Sequence, residues 1–171
     1  MLNNERISEA EKNLRSFLAE GMIKKEGFKK IVFETYMRNH RESLLVARRL
    51  SDEKVSNLWV VVASYYSMFY IANAMLYKLG YKVGPKIAHK VTADALIVLV
   101  RNKLAARLLE NYELARGEAL QLSDNLLQSF EKERLKRSDF QYETTEEIKR
   151  GKAETSLNRA EEFSKELEKM I

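Results

Sequence analysis

The chain has 171 residues, 32% of them charged, with a formal net charge of +5 and a pI near 9.3. It contains no cysteine, which excludes disulfides, thiolate metal sites and thiol catalysis. One proline and six glycines, beside abundant Ala, Leu, Glu, Lys and Arg, are the composition of long helices within one domain-sized unit.

In chain order, a first helix is expected over 4–20, where Ile7, Ala10, Leu14 and Leu18 share a face with Phe17 beside them. Gly21 and Gly27 bracket a short break. A second helix is expected over 28–50, with Ile31, Val32, Thr35, Tyr36, Leu44, Leu45 and Ala47 among its less polar positions. Ser51-Asp52 then turns the chain, and Asp52 or Ser56 is available to cap the next helix. The third helix, 55–80, is apolar nearly all round and so belongs at the centre of a bundle, with Gly80 as its stop. Tyr81-Lys82-Val83-Gly84-Pro85 reads as the clearest loop. A fourth helix is expected over 86–110, burying Ala93, Ala95, Leu96, Leu99 and Val100. A fifth spans 113–137, with Gly117 and Leu122-Ser123-Asp124 as points of interruption. The last begins after Thr144 or Thr145, where Thr144 and Glu147 have capping-box spacing, and buries Ile148, Ala153, Leu157, Ala160, Phe163 and Leu167.

No segment reads as a strand. The expected fold is therefore all-α: an antiparallel, up-and-down bundle of five or six helices forming one domain over 1–171, with 1–27 as an N-terminal helix extension on a core of 28–171. The opening MLNNERISEAEKNL lacks a basic stretch followed by an apolar one, so no signal peptide is read there. Residues 55–77 carry no charge, but Ser56, Asn57, Ser64, Ser67, Asn73 and several tyrosines interrupt them, which suits a buried helix better than a lipid-facing one. A cytoplasmic protein with no membrane association is expected.

Signatures of catalysis are missing. There is no glycine-rich phosphate loop, nucleophile elbow or His-Glu-x-x-His. Neither His40 nor His89 has a Glu three residues before it, which removes a di-iron reading; no metal and no cofactor are expected. The strongest local feature is Tyr65-Tyr66-x-x-Phe69-Tyr70. Tyr66, Tyr70, Asn73 and Tyr77 fall on one helical stripe, suited to packing, a polar seam or a shallow groove. A second is the basic run Arg134-Leu135-Lys136-Arg137 followed by Asp139, Phe140, Gln141 and Tyr142. Cations there complement a helix C-terminus, and arginines beside aromatics also suit phosphates and bases. The surplus of positive charge likewise has two readings, a solvated lysine-rich surface or a polyanionic partner.

The stretch Ala63-Ser64-Tyr65-Tyr66-Ser67-Met68-Phe69-Tyr70, then Ala72, Ala74, Leu76 and Lys78-Leu79-Gly80-Tyr81, then His89-Lys90, resembles the HEPN family, in particular its small prokaryotic branch. Ala88 stands where that branch has a threonine. Arg137-Ser138-Asp139-Phe140 and Ala160-Glu161-Glu162-Phe163 are similar to later segments of the branch, so the resemblance runs over about residues 30–170. It implies a helical bundle that often dimerises. Many members are metal-independent ribonucleases, commonly toxins paired with a minimal nucleotidyltransferase, and others bind nucleotides or RNA. The ribonucleases use an Arg followed, after four to six residues, by a His. Here four residues after Arg137 lead to Tyr142, and neither histidine has an Arg at the required distance upstream. A tyrosine, with a pKa of about 10, is a poor base at neutral pH. Arg137 and Tyr142 are thus the only catalytic candidates, and efficient catalysis is not expected. The resemblance implies a module that binds RNA or a nucleotide. Arg134, Arg137 and Tyr142 would contact phosphate, and Tyr66, Tyr70 and His89 would shape the groove. A homodimer and a nucleotidyltransferase-fold partner are the implied associations. The alternatives are an endoribonuclease toxin with a substituted motif and a helical protein–protein interaction module.

Overall fold

Asn3 opens the first helix, α1 (Asn4–Ala19), by accepting a hydrogen bond from the Arg6 N–H at 2.8 Å. The computed structural model describes residues 2–135 and 148–171, with side chains described as far as Asp124 and again from Ile148. Ala10, Leu14 and Phe17 form the buried face of α1, which lies against the fourth helix. Leu18, expected on that face, is exposed because it falls one step around the helix from Phe17.

Gly21 adopts a left-handed backbone (φ 71°) and turns the chain into a strand, β1 (Ile23–Lys25). It pairs antiparallel with β2 (Tyr81–Val83), in the register Ile23↔Val83, Lys24↔Lys82 and Lys25↔Tyr81. Two segments read from sequence as a break and a loop thus meet as a small sheet. Each strand is three residues long and its partner lies far along the chain, so no local alternation announces it. Buried Ile23 anchors the sheet to the core.

Helix α2 (Lys30–Asp52) buries Met37, His40, Leu44 and Ala47, a single face at offsets of three, seven and ten; Ile31 and Leu45 point outward. Ser56 caps α3 (Asn57–Lys78), accepting from the Trp59 N–H. Fourteen of the 22 residues of α3 are buried, and it packs on α2, on the two following helices and on the last one, which makes it the central helix. It is long and apolar enough to cross a membrane by length and composition, and 67% of its most apolar window is buried within the bundle. Gly80, at φ 87°, ends it as expected.

The expected fourth helix divides. Helix α4 (Ala88–Leu99) ends at Val100, a turn follows in which the Lys103 N–H bonds the Val100 carbonyl, and α5 (Ala106–Leu135) begins. Val100 and Leu104 are both buried across this turn, so the apolar spacing that suggests a continuous helix is satisfied by a bend instead. Within α5, Gly117 and Ser123 cause no break, and the Ser123 hydroxyl donates to the Ala119 carbonyl four residues back. Helix α6 (Arg150–Glu168) buries Ala153, Ala160, Phe163 and Leu167 against α3 and α5. The Thr144–Glu147 capping box lies outside the described residues. Among the described residues, the result is an all-α bundle of six helices with one small two-stranded sheet.

Candidate functional site

The centre of interest is where α3, α4 and α5 meet. The aromatic run of α3 divides by depth: Tyr65 is buried, and Tyr66, Phe69 and Tyr70 are half-buried. His89, in the first turn of α4, sits among them, with ring centroids 4.5 Å from Phe69, 5.5 Å from Tyr65 and 5.9 Å from Tyr66. Tyr70 joins through Tyr66 at 6.1 Å. Ile87, which caps α4, is held in a left-handed conformation (φ 45°), a costly state for a β-branched residue, and it presents His89 two residues on.

Burial, with the nearby Arg116 cation adding to it, holds His89 below the ordinary histidine pKa. Burial pushes the Tyr65 hydroxyl well above the ordinary tyrosine value. The Tyr65 hydroxyl and His89 Nδ1 share a hydrogen bond at 2.7 Å; with Tyr65 as its donor, the neutral ring carries its proton on Nε2. Tyr112 of α5, fully buried, packs its ring 6.0 Å from Tyr65; burial raises its pKa too, and the neighbouring Tyr65 phenol adds to the rise.

Arg116, one turn beyond Tyr112, completes the cluster. Its Nη1 is buried without a partner, and its one ion pair among the described residues is a long one, Nη2 to Glu113 Oε1 at 4.0 Å. Glu113 is already engaged by Arg6 at 2.6 Å, and Arg6 also holds the fully buried Asp94 of α4, which accepts a second bond from Asn13 at 2.9 Å. The positive charge of Arg116 is therefore under-compensated, and it is near enough to His89 and Tyr65 to act on both electrostatically. Such a group can take an anion, with guanidinium and Nε2–H as donors and Tyr66 as a flat surface for a base.

The structure thus brings together three of the expected residues, Tyr66, Tyr70 and His89. It separates Asn73 and Tyr77 from them. Asn73 is buried and donates to the Phe69 carbonyl and Thr92 Oγ1 at 2.8 and 3.2 Å. The Tyr77 hydroxyl donates to the Gly27 carbonyl at 3.1 Å and accepts from the Lys29 N–H at 3.0 Å. His40 is a core residue: Nδ1 lies 3.0 Å from the Ser67 carbonyl and 2.9 Å from its hydroxyl, tying α2 to α3. Arg134 falls in the last turn of α5, where side chains are not described, and Arg137 and Tyr142 lie outside the described residues. Sequence reasoning missed Arg116, Tyr112 and Asp94. Asp94 alone gave a signal, as a single carboxylate within the apolar run of 91–97.

An all-α bundle whose central tyrosine-rich helix frames a histidine from the next helix defines a class rather than a reaction. The sequence model of the HEPN domain matches residues 33–170, and the chain belongs to the HEPN domain family. No curated protein and no solved structure matches it. Membership is consistent with an RNA-related or nucleotide-binding role.

Proposed function

We propose that the protein is a HEPN module that binds RNA or a nucleotide without efficient catalysis. The observation carrying this reading is Arg116, whose buried Nη1 has no partner and whose charge acts on His89, the ring that Tyr66 packs against. In this reading Arg116 and the Nε2–H of His89 hold a phosphate, Tyr66 and Tyr70 line the base side, and Arg134, Arg137 and Tyr142 add phosphate contacts. The protein acts as a homodimer beside a nucleotidyltransferase-fold partner. His89 is too far from Arg116 in sequence to form the family's Arg-x4-6-His arrangement, so the cluster supports binding and not the ribonuclease chemistry of that motif.

The test is binding and cleavage of RNA by the purified protein in chelator, at low and moderate salt, with mass determination. Salt-sensitive binding without cleavage is expected. Metal-independent cleavage abolished by Arg137→Ala would replace this reading with the toxin alternative. A clean dimer with no binding at all would leave the interaction-module alternative.

A further inference from the structure

The net charge of the chain has an address. Residues 20–30 hold Lys24, Lys25, Lys29 and Lys30, and residues 81–90 hold Lys82, Lys86 and Lys90; against these seven stand only Glu20 and Glu26. The surplus equals the whole formal charge of +5, and the remaining chain carries 23 basic and 23 acidic residues. The two segments are remote in sequence, and the β1–β2 pairing brings them together.

The register sets Lys24 directly opposite Lys82, on the sheet face away from buried Ile23. Like charges opposed across an antiparallel pair destabilise it. Glu26 relieves part of this, at 3.3 Å from Lys82 and 3.8 Å from Lys29; desolvation is the largest single effect on its carboxyl and raises it, but Lys82, Lys29 and Lys24 together outweigh it and hold the carboxyl below the usual range. Among the described residues, Lys24, Lys25, Lys86 and Lys90 make no ion pair. At the edge of this surface Phe28 is 59% exposed, and the Tyr77 hydroxyl pins the backbone on both sides of it, at Gly27 and Lys29. A rigid exposed ring among lysines is a stacking platform beside a phosphate track. β2 also leads directly into α4, so Lys86 and Lys90 flank His89.

We infer that the lysine-bearing β1–β2 surface is the track for a single RNA strand leading into the His89–Arg116 cluster, which makes the ligand a polymer and not a mononucleotide. This rests on the RNA reading above and adds a surface that lies partly before the residues matching the family. A single strand is favoured over a duplex because Phe28 needs an unstacked base.

The test uses fluorescence anisotropy with a labelled oligouridylate of about 12 nucleotides, beside calorimetry with uridine monophosphate. The triple variant Lys24→Gln, Lys25→Gln, Lys29→Gln should bind the oligonucleotide roughly 100-fold more weakly at 0.1 M salt, with a salt slope smaller by about 2. Mononucleotide affinity should stay unchanged, and the melting temperature should hold or rise because the Lys24–Lys82 repulsion is gone. Phe28→Ala should weaken oligonucleotide binding roughly tenfold with no change of slope. If Arg116→Ala loses binding while the triple variant keeps wild-type oligonucleotide affinity and slope, the track is wrong and the RNA reading stands. If the wild type binds no oligonucleotide, both fall. Wild-type binding to phosphatidylserine vesicles without oligonucleotide binding would overturn the track in favour of a lipid surface.

Discussion

The β1–β2 surface and the α3–α4–α5 cluster are both positively charged, and they differ in how the charge is held. On the sheet, several lysines stand exposed with one glutamate among them. In the cluster, a single arginine is largely buried and its charge acts on a neutral histidine, with its carboxylate neighbour turned to Arg6. Dispersed exposed cations read a polyanion through counterion release and are strongly salt-dependent. A desolvated guanidinium with fixed donors reads one phosphate by geometry and is screened far less. On the proposed RNA reading, the two regions would divide the work of attracting a strand and holding one part of it.

Arg6 joins the two regions, because it fastens α1, and through it β1, to Asp94 on α4 and Glu113 on α5. Arg6→Ala leaves the buried Asp94 with Asn13 alone and should cost about 3 kcal/mol of stability in chemical denaturation; an unchanged midpoint would show that the sheet is held without this link. Next in size, Arg116→Ala should weaken mononucleotide binding tenfold or more, since it removes charge-assisted hydrogen bonds worth about 1.5–3 kcal/mol, while the oligonucleotide salt slope falls by about one unit or less. Calorimetry over a salt series reads both quantities, and a large fall in slope would erase the distinction between the regions.

Protonation sharpens the comparison further. His40 and His89 both lie below the ordinary value, burial being the main cause in each. The unfolded chain takes up protons first as pH falls, so the stability from the neutral rings is complete above about 6.5 and is lost as pH drops toward the folded-state values. Melting temperature should fall between pH 7.5 and about 5.5, and less steeply in His40→Gln; a flat profile would mean that neither ring is held neutral. The smallest effect is expected at Ser56→Ala, which removes the cap of α3 remote from both regions and should cost about 1 kcal/mol with no change in binding.

The sequence made the helices legible because apolar spacing and Gly80 are local signals. The uncharged run of 55–77 correctly places α3 at the centre. The turn between α4 and α5 was not legible, because Val100 and Leu104 keep helical spacing and no glycine or proline marks the bend. Tyr66, Tyr70 and His89 could be named because they fall in one motif. Arg116 and the Lys24–Lys82 pair could not, since their meaning lies in which residues they meet across the fold. The charge balance of individual segments was visible throughout, but its concentration became evident only with the strand pairing.

The central claim is that the His89–Arg116 cluster holds a phosphate. The most direct test is titration of wild type and Arg116→Ala with uridine monophosphate at moderate salt, with circular dichroism to confirm that both are folded. The account predicts measurable wild-type binding that falls about tenfold or more in the variant. Equal affinity in two equally folded proteins would contradict it.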